Sequence, residues 1–378
     1  MSSFILKLFK IKWKFKKPPK KKVLIYDKES KSLASFFFNK DDCHIFNLRY
    51  EEINLYVLMI TFFLTGFSKM KDNYKHNYCK IVDPFIIFSA FHSNYSFFRL
   101  KNIYSKAKYI CIHEQNTDLR FFRSCDKYYK NNREKLRADL MFVLGQYYKK
   151  KFSNYISAKI ISIGGFKNNF FMKDKKKNED DNSILFISQI AAKPENQIVP
   201  KYKIKIDNEK KIVNALLAYC NKKNYKLKIS TKSTADKLDF YKRKFGEGNY
   251  TIHFRKKKHH SPNEPASYDL VNRSTFVVFT NSTLGLEALI KGIKGVAFPP
   301  EQFPIEDHEK KFSKSGPFWS ENFDEKILEK YLDQIKEYSD EEWKKIVNEN
   351  IGDLIEYDPM NSKLVKTMND LNIKTLIN

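Results

Sequence analysis

From residue 22 onward, short apolar runs alternate with segments long enough for a helix. Residues 23–26 begin the series, and 43–48, 81–88, 109–113, 140–144 and 158–163 continue it. Strands apolar on both faces belong to a parallel sheet covered by helices on each side, and right-handed crossovers then produce a doubly wound domain. A charged stretch over 173–182, of the kind found between domains, interrupts the pattern. Beyond it the alternation restarts, with strands expected at 184–188, 226–230, 250–254, 275–279 and 295–298 and helices at 208–221, 234–245 and 264–272. The remainder has the periodicity of two or three amphipathic helices, one starting at Asp340-Glu-Glu-Trp343. The expected layout is a leader over 1–20, an α/β domain over 21–172, a linker over 173–183, a second α/β domain over 184–322 and C-terminal helices over 323–378. Two such halves leave a cleft between their carboxyl edges, where open α/β sheets bind ligands.

Two apolar segments stand outside the alternation. The first, around Phe9, Trp13 and Phe15, interleaves large apolar groups with lysines and stops at Pro18-Pro19. It has neither the long apolar stretch nor the cleavage site of a signal peptide, and it fits either a basic leader with frayed structure or a segment lying in the headgroup layer of an anionic membrane. The second, 55–67, is shorter than the ~20 residues that span a bilayer and is expected to be a buried helix.

Composition narrows the classes. A chain of 378 residues with 42% hydrophobic and 15% aromatic content can bury a large core, which excludes a disordered tail. The net charge of +26 suits a polyanionic partner. It is equally what a lysine-, asparagine- and isoleucine-rich translation of an AT-rich genome would carry. The five cysteines are far apart with no C-x-x-C pair, as in a reduced, cytoplasmic protein without structural zinc. No G-x-G-x-x-G follows the first strand, which argues against a dinucleotide-binding domain.

The most informative stretch is Thr280-Asn-Ser-Thr-Leu-Gly-Leu-Glu-Ala288, fed by the apolar run Thr275-Phe-Val-Val-Phe279. Strand, polar turn and helix in that order leave backbone N–H groups and two hydroxyls at a helix N-terminus, where the dipole favours an anion such as phosphate. The same residues also suit an ordinary helix cap by Asn281 or Ser282.

Two Rossmann-like halves with this turn in the second resemble GT-B glycosyltransferases, in particular those using CMP-activated acidic sugars. The segments Lys21-Lys-Val-Leu-Ile-Tyr-Asp-Lys-Glu-Ser30, Glu51-Glu-Ile-Asn54, Ile163-Gly-Gly-Phe-Lys-Asn-Asn169 and Ile184-Leu-Phe-Ile-Ser-Gln189 resemble bacterial surface carbohydrate biosynthesis proteins. The resemblance runs from about residue 20 to 300. It implies an α/β, GT-B-like fold of two doubly wound domains facing a cleft, with C-terminal helices.

The resemblance also implies roles. Ser282 and Thr283 match a Ser/Thr pair that holds the nucleotide phosphate. His259 and His260 stand where a His-Pro pair is expected, although Ser261 separates them from Pro262; they could equally extend the basic run 255–258. Gly285 belongs to the same turn, and Glu287 would take ribose hydroxyls or, alternatively, complement the helix dipole. In the first half, Ile112-His-Glu-Gln-Asn-Thr-Asp-Leu-Arg120 puts ionisable groups at a strand end. Glu114, with Asp118 as second choice, is the expected base, and His113 would tune its pKa. Asp118 could also pair with Arg120. His92, Asn94, Gln115 and Asn116 are expected on the acceptor side, and Gly164-Gly165 as a hinge. No Asp-x-Asp motif stands in a convincing loop, so neither metal nor cofactor is expected.

The reading favoured is a cytoplasmic, membrane-peripheral glycosyltransferase. Its partners would be a nucleotide sugar, preferably CMP-linked, a glycan or lipid-linked acceptor and the anionic inner membrane surface. A UDP-sugar 2-epimerase-like enzyme and a basic nucleic-acid-binding protein are the alternatives; apart from the first seventeen residues no aromatic-and-basic stripe supports the last.

Overall fold

A computed structural model describes residues 11–47, 52–67, 70–115, 119–132, 135–171, 182–254, 266–299, 315–373 and 375–376. The strands are β1 (Lys12–Lys14), β2 (Val23–Tyr26), β3 (Cys43–Phe46), β4 (Glu52–Asn54), β5 (Ile86–Ser89), β6 (Lys108–Ile112), β7 (Leu136–Val143), β8 (Ile156–Ser162), β9 (Ser183–Ile187), β10 (Lys226–Ser230), β11 (Tyr250–His253), β12 (Phe276–Phe279) and β13 (Gly295–Ala297). The helices preceding the second sheet are α1 (Lys31–Ala34), α2 (Leu55–Thr65), α3 (Met70–Val82), α4 (Tyr95–Ile103), α5 (Leu119–Asn131), α6 (Gln146–Ser153) and α7 (Phe166–Phe171). They are followed by α8 (Pro200–Lys223), α9 (Leu238–Phe245), α10 (Ala266–Asn272), α11 (Thr283–Ile290), α12 (Glu325–Glu337), α13 (Asp340–Ile351) and α14 (Ser362–Asp370).

Two parallel sheets carry the fold. The first has the order β3-β2-β5-β6-β7-β8 and the second β11-β10-β9-β12-β13. Their strands are apolar on both faces because helices cover both: along β2, Leu24 and Tyr26 enter one core while Val23 and Ile25 enter another. In each sheet the chain leaves the first strand in one direction and returns to build in the other. This places a topological switch point between β2 and β5 and another between β9 and β12, where ligands bind in open α/β sheets. The described cysteines are all free, and four of the five are buried.

Several expectations change. Residues 81 and 82 finish α3 rather than beginning a strand: Val82 is buried beside Cys79, and Asp83 at φ 51° followed by Pro84 ends the helix. Part of the leader is ordered, because β1 pairs in parallel with β4, Lys12 opposite Glu52 and Lys14 opposite Asn54. The run 55–67 does form a helix over α2 but is not buried. Only Val57 and Thr61 enter the interior, and Phe63 and Phe67 stand 78% and 83% exposed.

The C-terminal helices divide between the two halves. Helices α12 and α13 pack on the second sheet through Leu328, Leu332 and Trp343, whereas α14 crosses back and buries Leu364 and Met368 against Val23, Ile25 and Phe88 of the first. Helix α13 starts with a capping box between Ser339 and Glu342, which supplies the start signal expected at Asp340. The returning segment is clipped by buried amides: Asn169 donates to Ile163 O (2.6 Å) and to Asn361 Oδ1 (2.9 Å), and accepts from Asp358 N (3.1 Å). Glu356 accepts from Ser162 (2.7 Å), Gln146 (2.8 Å) and Lys363 (2.6 Å). Gly164, at φ 78°, lets Glu356 pass, since a Cβ there would sit 2.0 Å from the Glu356 carbonyl oxygen. The Gly164-Gly165 pair therefore serves close approach rather than a hinge. Gly164→Ala is expected to lower the unfolding free energy by about 2 kcal/mol or more, read from urea midpoints, because it adds both a steric clash and a positive-φ penalty.

Candidate functional site

The second switch point is built by the Thr280–Ser282 turn and by the loop after β9. Ser282 takes the N-cap position of α11 and its carbonyl accepts from Leu286 N (3.1 Å), yet its hydroxyl does not bond back to the helix. Thr283 is half-buried at the first helical position. Gly285 lets α11 lie flat on β12, because a Cβ there would meet the Phe279 ring at 2.3 Å; its role is helix-on-strand packing. The facing loop is held from below by Glu209, fully buried on α8, which accepts from Ser188 Oγ (2.6 Å) and Gln189 N (2.9 Å). Burial pushes the Glu209 carboxyl up to about 7.

At the first switch point stands Asp27, a residue passed over in the sequence. It is buried directly after β2 at φ 89°, a strained value for a residue with a side chain, and its carboxylate accepts from Glu29 N (3.4 Å). Beside it Ser30 Oγ ties the end of β5, accepting from Ala90 N (2.9 Å).

Between the halves the structure brings together two of the residues singled out in the sequence. Glu114, just past β6, is ion-paired with Lys167 of α7 at 3.4 Å. Glu287, in the second turn of α11, is buried and accepts from the Tyr268 hydroxyl at 3.1 Å. Its other oxygen lies against Gly165, where a Cβ would stand 2.0 Å away. Burial pushes the Glu287 carboxyl up to about 8; the Glu114 charge adds to this, while Tyr268 and Lys167 oppose it. The Tyr268 phenol is held well above its ordinary value by burial and then by Glu287 and Glu114. Glu287 is thus a buried carboxyl at the junction of the halves, its pKa raised by burial, not a surface acid complementing a dipole. Tyr268 carried no signal in the sequence, and Lys167 stood out only through the Gly-Gly segment before it.

The remaining calls separate. His113 does not tune Glu114 with a charge, because its ring is buried against Tyr148 (4.5 Å) and Phe152 (5.2 Å) and burial holds its pKa far below the usual value. His92 is likewise turned inward rather than onto the acceptor edge: its ring meets His113 at 4.5 Å and Phe121 at 5.2 Å, and burial lowers it to about 4. Asn94 caps α4 with its carbonyl, which accepts from Phe97 N (3.0 Å). Gln115 is exposed beside Glu114. Asn116, Asp118, His259 and His260 lie outside the described residues. Among the described residues no group of three His, Cys, Asp or Glu side chains is placed to hold a metal ion.

Two parallel α/β halves, a motif-bearing switch point in the second, and a C-terminal helix returning to the first define the GT-B-like class of two Rossmann-like domains. Solved structures agree. A UDP-N-acetylglucosamine 2-epimerase from Neisseria meningitidis bound to UDP-GlcNAc superposes with a TM-score of 0.53 at 13% identity over 92% of this chain and 99% of that one. A second UDP-N-acetylglucosamine 2-epimerase gives 0.50 at 12% identity over 94% and 97%. The chain belongs to the family described as "putative O-antigen biosynthesis protein", whose model matches residues 120–372. No curated protein sequence matches it.

The raised carboxyls make stability depend on pH with a definite sign. Glu209 and Glu287 keep their protons when folded and lose them near the ordinary 4.5 when unfolded, so their contribution is complete below about pH 4.5 and is lost as pH rises towards 7 and 8. Each group adds a downward slope of up to about 1.4 kcal/mol per pH unit in that window. Glu287→Gln keeps an acceptor for Tyr268 and is expected to flatten the decline between pH 5 and 8; urea midpoints across that range test it, and an unchanged slope would show that Glu287 ionises freely.

Proposed function

We propose that this protein is a cytoplasmic glycosyltransferase of surface-polysaccharide assembly, moving a sugar from a nucleotide donor to a glycan or lipid-linked acceptor. The observation that carries the reading is the position of the Thr280–Ser282 turn at the second switch point, with the N-terminus of α11 and an uncommitted Ser282 hydroxyl behind it. Membership of an O-antigen biosynthesis family supports the pathway.

In this reading Ser282, Thr283 and the α11 backbone hold the leaving nucleotide phosphate. An acceptor hydroxyl attacks the anomeric carbon as the bond to phosphate oxygen breaks, and its proton passes to Glu114, which Lys167 holds in place. Glu287 and Tyr268 bridge the second half to this carboxylate, and transfer proceeds without a metal. The Ser282–Thr283 pair and the basic chain favour a CMP-linked acidic sugar. A second reading, epimerisation of a UDP-sugar, draws on the UDP-N-acetylglucosamine 2-epimerases of the same fold, one bound to UDP-GlcNAc.

Melting curves with CMP, UDP and GDP separate the donors: CMP is expected to raise the melting temperature most, because a ligand that binds only the folded state stabilises it in proportion to its excess over Kd. A clear preference for UDP, with UDP-GlcNAc epimerised in the absence of acceptor, would favour the second reading. Replacing Ser282 and Thr283 together by Ala removes two hydroxyls that each contribute roughly 1.5–3 kcal/mol to a charged acceptor, so nucleotide affinity should fall at least tenfold while stability drops by only ~1 kcal/mol. Unchanged affinity in the folded double variant would remove the phosphate role. Glu114→Gln should abolish transfer and leave nucleotide affinity nearly intact; normal turnover would move the base elsewhere.

A further inference from the structure

Helix α2 is apolar along its whole length, with no charged residue between 55 and 67, yet it buries one narrow stripe. Val57 and Thr61, one turn apart, face the interior, and the other side presents Met59, Phe62, Phe63, Leu64 and Phe67 to solvent. Leu64 is 69% exposed, close to Phe63 at 78% and Phe67 at 83%. At the C-terminal end the rings gather into one tip, Phe62 lying 4.9 Å from Phe67 and 6.0 Å from Phe63, around the turn at Gly66. A helix apolar all round is ordinarily buried in a core or in lipid, and clustered exposed aromatics of this size mark a docking face.

The surroundings of this face identify what it meets. Asn54 caps α2, its side chain accepting from Val57 N (3.1 Å), and the same amide donates to the Lys16 carbonyl (2.8 Å). Strand β1 pairs with β4 just before that cap, so the segment bearing Lys12, Lys14, Lys16 and Lys17 runs beside the start of the helix. All four lysines are exposed, as are Trp13 (39%) and Phe15 (68%), and Lys71 follows the far end of the helix. The flank thus couples lysines with an aromatic residue suited to the headgroup level. A helix of 11 residues is about 16 Å long, too short for a ~30 Å hydrocarbon core, and among the described residues no helix is long and apolar enough to cross a membrane.

We propose that α2 and the lysine-bearing β1 segment form a single surface that docks in the plane of an anionic lipid bilayer. The Phe62–Phe67 tip enters the boundary between headgroups and acyl chains, while Lys12, Lys14, Lys16 and Lys17 meet lipid phosphates. Stable attachment requires two such signals together, and the structure joins them through Asn54. A bilayer accounts for both the apolar tip and a flank rich in exposed lysines. The inference is independent of which nucleotide the protein uses.

The test is co-sedimentation of the full chain with phosphatidylcholine vesicles containing phosphatidylglycerol or none. Wild type is expected to bind the anionic vesicles preferentially and to release as salt is raised. Met59→Ser/Phe63→Ser/Phe67→Ser, at positions that contribute little to the core, should weaken that binding by at least about tenfold with nucleotide affinity unchanged. Replacing Lys12, Lys14, Lys16 and Lys17 by Gln should weaken it comparably and remove the salt dependence. Anionic-vesicle binding retained by the triple variant, or equal binding of wild type to neutral vesicles, would overturn the proposal. So would a wild-type dimer that the triple variant converts to monomer while vesicle binding stays the same, since a second copy would then be the occupant of the face.

Discussion

The contact on which the arrangement depends is the close approach at Gly164-Gly165, where parts of the chain distant in sequence meet on two residues without side chains. The Glu356 backbone passes over Gly164 and the Glu287 carboxyl rests against Gly165, each in space a Cβ would occupy. The first contact carries the return of the C-terminal segment to the first sheet, and the second sets the first helix after the Thr280–Ser282 turn against that half. Antiparallel pairing of Gly164 with Tyr357 continues the crossing. Lys291, at the end of α11, then donates to the Tyr357 hydroxyl at 2.8 Å and stacks over its ring, so the returning strap also holds the second half.

That contact also creates the unusual electrostatics of the junction. Burying Glu287 at the seam costs less when the carboxyl keeps its proton, and the nearby Glu114 charge pushes in the same direction. The Lys167–Glu114 pair comes from the first half and the Tyr268–Glu287 pair from the second. A junction with a burial-raised carboxyl, a burial-raised phenol and an ion-paired carboxylate gathers perturbed ionisable groups in one place. The residues that join the halves here are themselves ionisable.

The apolar helix α2 shows how far a hydrophobic pattern can be read. An uninterrupted run over 55–67 announces a helix that avoids water, but it does not say whether protein or lipid covers the remaining faces. Histidines 92 and 113 pose the opposite problem. Next to a polar strand end they have the composition of a catalytic site, and only the packing of Phe121, Tyr148 and Phe152 around them shows rings buried inside an aromatic core.

What the sequence determined by itself was the alternation of doubly apolar strands with helices and the strand–turn–helix at Thr280, because these depend on burial and capping within short windows. The start of α13 at Ser339–Glu342 was legible for the same reason. The end of α3 was not, because Ile81 and Val82 suit either element and only the burial of Val82 beside Cys79 decides between them. Tertiary structure alone decided which chemistry-bearing residues meet. Glu114, Lys167, Tyr268 and Glu287 lie on four separate elements, and no local periodicity relates them. They are brought together by strand order and by a C-terminal helix that returns to the first sheet, a long-range constraint that no short window of sequence contains.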